Sequence, residues 1–264
     1  FAALEPDAIQ VHGTGTIRPS PNLIDTTKFS RGDVGAAFGA AAHVIEASFA
    51  TQRVDPAFLE PEACLAYPQG DGIKVHSESQ GSVFDQKQIA RLLGLPEAQV
   101  EIALAASGGA FGAKEELSIQ GQTAMAAYLL QRPVKTTLTR PQSTQHHVKR
   151  HAMTVTLTVG ADKEGRLLAL RSRIVADAGG YHTTSAKCAL RAACHSTGVY
   201  RIPSVDVEAK AGYTNNPNAG AMRGFGSNQS QFAMEGVMDI LAERVGVDGW
   251  DIRDRNILNP GDKF

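Results

Sequence analysis

The sequence is short of the residues that most often announce a function. Its 264 residues include three cysteines, Cys64, Cys188 and Cys194, with no C-x-x-C pair among them. A disulfide framework needs more, and an iron–sulfur cluster takes four cysteine ligands, so this sequence holds none alone. All three thiols read as buried and inert. Neither sign of charge dominates, with 26 basic residues against 27 acidic ones and a net charge of −1. That balance leaves no footprint for nucleic acid or an anionic membrane surface. Long apolar runs are missing as well; Ala124 to Leu130 falls far short of a membrane span. No secretory signal opens the sequence, because Phe1-Ala-Ala-Leu-Glu5 carries an acid where basic residues belong. The compartment reading leans cytoplasmic. A start at Phe rather than Met reads as a processed chain or an excised piece.

What is present fits a folded globular protein: 42% hydrophobic and 20% charged residues, near the usual averages. Aromatics make up only 6%, so the interior must be largely aliphatic. The first thirty residues read as irregular. A helix follows from Asp33, its cap, to about Ala42. Val44 to Ala50 alternates as a strand, and Leu65–Tyr67 and Ile73–Ser77 read as two more around the turn at 68–72. Phe84, Ile89, Leu92 and Leu93 mark one face of a helix. A strand at Val100–Ala105, a glycine loop, a helix over Leu117–Leu130 and a strand at Val134–Leu138 complete a sheet with helices against it. Beyond that, Met153–Val159 and Leu167–Val175 read as an antiparallel hairpin. A short helix at Ala189–His195, a strand at Val205–Ala211, the polar loop 215–220 and helices at Gln229–Val245 and Trp250–Ile257 close the chain. The expected fold is mixed α/β (α+β): two subdomains, residues 1–145 and 146–264, each a mixed sheet flanked by helices.

Two loops stand out. Ser107-Gly-Gly-Ala-Phe-Gly-Ala-Lys-Glu115 leaves a strand and enters a helix, where free N–H groups and the helix dipole attract oxyanions. It is neither a phosphate-binding P-loop, lacking Ser or Thr after the lysine, nor a dinucleotide fingerprint. It reads as either a ligand loop or an ordinary tight turn. Ala221-Met-Arg-Gly-Phe-Gly-Ser-Asn-Gln229 repeats the pattern of an aromatic between glycines before a helix. Arg223 can clamp an anion, and Phe225 offers a ring face unless it plugs the core. His146, His147 and His151 read as a solvated loop rather than a metal site, since Pro141 argues against a helix there. Lys87 and Arg91 read as a solvated helix face, and no G-x-S-x-G nucleophile elbow occurs.

At these loops the sequence resembles the xanthine dehydrogenase and aldehyde oxidase family, the molybdenum hydroxylases. Gly108-Gly-Ala-Phe-Gly-Ala-Lys-Glu115 and Ala221-Met-Arg-Gly-Phe-Gly226 are similar to its cofactor loops, and Asp55-Pro-Ala-Phe-Leu-Glu60 to an earlier segment. The departures are Pro56 where a histidine is frequent, and Ala110 and Ala113 where glycine is usual. The resemblance implies molybdopterin-bound molybdenum, with the cytosine dinucleotide form as one version. It implies cofactor contacts at Gln80, Gly109, Ala110, Phe111, Gly112 and Arg223. Gln80 and the backbone N–H groups at Phe111 and Gly112 would face oxygens on the metal. Glu115, Arg191 and Phe225 are implied as substrate residues, gripping a purine such as xanthine or hypoxanthine, oxidised with water as the oxygen source. The implied alternatives are an aldehyde, a nicotinate-type heterocycle, or a non-catalytic cofactor-holding subunit. The family's catalytic glutamate, in a G-x-G-E context, has no counterpart here, so no catalytic residue is expected in this chain. It resembles the first half of the molybdenum-binding region. The remaining half, with FAD and [2Fe-2S] clusters, is implied on other domains or chains.

Overall fold

A computed structural model describes residues 2–12 and 22–262. In chain order its elements are β1 (Leu23–Arg31), α1 (Val34–Ala40), β2 (His43–Thr51), β3 (Ala63–Gln69), β4 (Gly72–Ser77), α2 (Ser82–Leu93), β5 (Val100–Leu104) and α3 (Gln120–Leu130). There follow β6 (Val134–Thr137), α4 (Arg140–His146), β7 (Ala152–Ala161), β8 (Leu167–Gly179), α5 (Ser185–Cys194), β9 (Ser204–Tyr213), α6 (Ser227–Val245) and α7 (Gly249–Asn256). They form two units, each around its own mixed sheet. None of the described helices is long and apolar enough to cross a membrane.

The expected division at 145/146 takes a different course. Residues 54–150 and 220–223 form one unit, while 1–53, 151–219 and 224–264 form the other. Strand pairing is the cause: β1 pairs with β9 and β2 with β7, so the first two strands belong to the sheet of the later hairpin. The strand β1 itself escaped the sequence reading. It is an edge strand with no buried residue, and Asp25-Thr-Thr-Lys28 breaks any apolar alternation.

In the five-stranded unit the order is β1-β9-β8-β7-β2, parallel only between β8 and β9. The alternation in β7 buries Met153, Val155, Leu157 and Val159 on one face. There they join Met234, Met238 and Leu241 of α6 in one core. Full burial of each such side chain contributes about 1.5–3 kcal/mol.

The four-stranded unit runs β5-β4-β3-β6, parallel only between β4 and β5. Its core joins Ile73 and Val75 of β4 to Ile89 of α2 and to Ala124 and Ala127 of α3. The face expected for α2 is corrected. Phe84 and Leu92 are exposed, and the inward stripe is Asp85, Ile89 and Leu93. Phe84 and Leu92 each precede a stripe residue by one position, about 100° around the helix. Asp85 is 1% exposed with no hydrogen-bond partner on either carboxylate oxygen among the described residues. Burial pushes its carboxyl up, only partly offset by the nearby Ser79 hydroxyl. A raised native pKa means a stability penalty that is absent below the unfolded value, near 3.8, and grows as pH rises through the native one. Asp85→Asn should therefore stabilise the protein by about 1–3 kcal/mol at neutral pH and by nothing near pH 3.5, as read by urea unfolding at both pH values.

Candidate functional site

Both glycine loops are built around an aromatic residue in left-handed backbone. Phe111 (φ 53°) is followed by Gly112 (φ 99°), and Phe225 (φ 51°) by Gly226 (φ 102°). A non-glycine residue with positive φ is uncommon and costs about 1–3 kcal/mol, so the surrounding structure must hold it there. The first loop does not deliver its ligand face to a helix start, as the sequence reading expected. The helix α3 begins only at Gln120, so no helix dipole acts at Gly108–Ala113. Backbone donors carry the electrostatics instead. The N–H groups of Gly109, Ala110 and Phe111 make no hydrogen bond among the described residues.

In the four-stranded unit the structure brings Gln80, the first loop and Arg223 together. Gln80 lies three residues past β4, and its N–H donates to the Lys114 carbonyl at 2.9 Å. Its Oε1 accepts from the Gly112 N–H at 2.9 Å. This corrects one expectation. The Gly112 donor is spent on Gln80, and the outward donor is the Gln80 amide nitrogen, which has no described partner. Arg223 N–H donates to the Phe111 carbonyl at 2.7 Å, and its own carbonyl accepts from Arg150 Nη2 at 2.7 Å. The Arg223 guanidinium is exposed and pairs with no acid among the described residues. A Cβ at Gly112 would lie 3.1 Å from the backbone of Ala221 and Met222, so the two segments meet only because no side chain stands there. The alanines that replace family glycines do not crowd the loop's outer side. Ala110 is buried, and Ala113 packs inward with Phe58 and Val148.

Glu115 closes the loop with an exposed side chain. Arg191 and Phe225 lie in the five-stranded unit, where the Arg191 guanidinium carbon is 5.8 Å from the Phe225 ring centroid, within cation–π range. Phe225 is half-buried and packs on the core, so it is both plug and presented ring. A cavity of about 590 Å³ in the same unit, lined in part by Phe29, Arg31, Tyr200 and Pro203, contains none of the predicted site residues. Cys194 lines it and is exposed, which corrects the expectation that all three thiols are buried; Cys64 and Cys188 are.

The histidine reading is also corrected. Pro141 sits in the first turn of α4, where its missing N–H would have no intrahelical partner anyway. His147 is fully buried in its side chain, with Nε2 3.2 Å from Asp55 Oδ1 and Nδ1 3.3 Å from Glu62 Oε1. Burial opposes ionisation of Glu62, but the neighbouring His147 ring and Ser143 hydroxyl outweigh it and hold the carboxyl at about 2. His151 is buried too, 2.7 Å from Ser185 Oγ. No cluster of metal-ligating side chains occurs among the described residues.

Residues 17–257 match the family described as "Molybdopterin cofactor-binding domain". The chain belongs to that family, within the molybdenum hydroxylases. Among curated relatives it is 38% identical over 263 residues to the "Nicotinate dehydrogenase large molybdopterin subunit" of Eubacterium barkeri, covering 99% of this chain and 60% of that protein. It is 38% identical over 261 residues to a probable xanthine dehydrogenase subunit of Bacillus subtilis, covering 98% and 34%. Among solved structures, the aldehyde oxidoreductase of Desulfovibrio gigas superposes with a TM-score of 0.92 at 32% identity, over 99% of this chain and 28% of the other. The chain thus spans about a third to three fifths of the two curated relatives. The cofactor of this domain is molybdenum bound by molybdopterin. The donor set suits it: unpaired N–H groups, a carboxamide and a free guanidinium match a ligand rich in oxo and phosphate oxygens.

Proposed function

We propose that this chain is the cofactor-holding part of a molybdenum hydroxylase acting on a purine-like heterocycle. The cofactor, when bound, supplies two-electron oxidation with water as the source of oxygen. This chain's residues do the holding and orienting. The Gln80 amide nitrogen would donate to an oxygen of the bound cofactor, with the Phe111 N–H as a second donor, and Arg223 would neutralise an anionic part of it. Gly109 and Ala110 contribute backbone donors. The single observation that carries the assignment is the free Gln80 amide nitrogen, fixed by the bond between its oxygen and Gly112.

For the substrate, the supporting observation is Arg191 against the Phe225 ring. A cation and a ring face suit a flat heterocycle with carbonyl acceptors. The exposed Glu115 carboxylate, by its place in the motif, would accept from a ring N–H. Nicotinate is the second reading, favoured by the relative of that name and by the ability of Arg191 to bind a carboxylate. Iron–sulfur and flavin partners carrying the electrons onward, and a cytoplasmic setting, belong to the same proposal. In the assembled enzyme, Glu115→Val with Arg191→Met should abolish xanthine or hypoxanthine turnover and spare an aromatic aldehyde. Equal loss on both substrates would refute the purine reading. Loss on nicotinate with no wild-type turnover of purines would favour the second.

A further inference from the structure

Lys114, near the end of the first loop, turns a charged side chain inward. Its side chain is 3% exposed, an unusual place for an ammonium group. Three groups lie against its ammonium. Nζ is ion-paired with Glu78 Oε2, whose side chain is 4% exposed. It also donates to the Glu60 carbonyl at 3.1 Å and lies 4.6 Å from the centroid of the Phe58 ring. Burial pushes the Glu78 carboxyl up, while the hydrogen bond and charge of Lys114 pull the other way.

The same two acids hold both ends of the loop. Glu60 Oε2 accepts from the Gly108 N–H where the loop begins, at 2.5 Å. Glu78 holds Lys114 where it ends, and Lys114 offers its carbonyl to the Gln80 N–H. Gln80 is two residues from Glu78 in sequence. The ion pair and the Gln80–Lys114 backbone bond together tie the segment carrying Gln80 to the end of the loop carrying Phe111 and Gly112.

We propose that the buried Lys114–Glu78 pair, with Glu60, is a positioning device that fixes the Gln80 amide and the Phe111 N–H relative to each other. Both side chains are buried, so the role is to position other groups, and the proposal rests on the reading of Gln80 given above. A buried ion pair is seldom retained for stability, since apolar residues of similar volume serve as well or better. Its value here is directional: charge-assisted hydrogen bonds fix distances that apolar packing leaves loose.

The experiment uses the assembled holoenzyme with Lys114→Met, Glu78→Met and the double variant. Lys114→Met leaves a bare carboxylate in the interior and should lower the unfolding midpoint sharply. The double variant removes both charges and should recover it. It is expected to keep the wild-type molybdenum content and KM while kcat falls by about 10², the usual cost of misplacing a positioned group by about an ångström. Its Mo(V) paramagnetic resonance signal should differ from wild type. Hydrogen exchange gives a readout that needs no cofactor: the Gly112 amide, protected by Gln80, should exchange faster in the double variant. A double variant with wild-type kcat, resonance signal and Gly112 protection would overturn the proposal and leave the pair a folding element only. If wild-type enzyme carries no molybdenum, the functional reading fails, and Gly112 exchange alone still decides whether the pair positions Gln80.

Discussion

Gln80→Ala in the assembled enzyme should lower kcat by about 10²–10³ with molybdenum content unchanged and the unfolding midpoint lowered only slightly, because one positioned donor is worth that much where charge develops. The side chain is exposed and packs nothing, so the fold loses one hydrogen bond, from the Gly112 N–H. That loop N–H can bond water instead, at a net cost of about 0.5–1.5 kcal/mol. Stability and turnover should therefore separate cleanly. Gln80→Glu sharpens the result. A carboxylate still accepts from Gly112 but has no N–H to offer outward, so the loop stays and the donor goes. Steady-state kinetics on enzyme of measured molybdenum content decide it. Wild-type turnover in a fully metallated Gln80→Ala enzyme would remove this residue from the site.

Gly226→Ala should cost far more stability than an alanine at another left-handed glycine. A Cβ at Gly226 would stand 2.2 Å from the Cys188 carbonyl oxygen and 3.1 Å from the Ala192 nitrogen, inside the backbone of α5. The residue also holds φ 102°, outside what alanine adopts without strain. Strain of about 1–3 kcal/mol and overpacking of about 1–3 kcal/mol together make about 2–6 kcal/mol. A typical domain has only about 5–15 kcal/mol to lose. Gly246→Ala is the matched control: φ is 78°, with nothing within 4 Å of its Cβ, so it pays only the backbone cost of about 1–2 kcal/mol. The approach of Gly226 to α5 also brings Phe225 beside Arg191, so on the substrate reading proposed above any surviving Gly226→Ala protein should lose substrate affinity as well as stability. Thermal unfolding of the two variants side by side checks the difference. Equal midpoints would show that the loop does not press on α5 as described.

Much of this was legible in the sequence where local chemistry decides. The Asp33 cap accepts from the Ala36 N–H, as its residue type before a helical run implied. The hairpin of β7 and β8 follows from clean alternation and a glycine turn. The two glycine loops identified the family, and the chain's membership bears that out. What stayed hidden depends on partners far away in sequence. The polar edge strand β1 is a strand only because β9 lies beside it. The inward Lys114 had no signal of its own: the acids that surround it are 36 and 54 residues earlier. His147 was misread for the same reason, since Asp55 and Glu62 reach it from another segment. Burial of a charged side chain is a tertiary fact, and only an unexplained acid–base set around a known loop could have hinted at it.

The central claim is that this chain holds the molybdenum cofactor through the first glycine loop, with Gln80 as an orienting donor. The most direct test is metal and pterin analysis of the purified assembly, comparing wild type with Gly112→Val, whose side chain would have to displace the Ala221–Met222 backbone. The account predicts stoichiometric molybdenum and pterin in the wild-type assembly. It predicts loss of both from a Gly112→Val assembly that still forms and still binds its complementary chain. Wild-type assembly without molybdenum, or Gly112→Val assembly with its full complement, would contradict it.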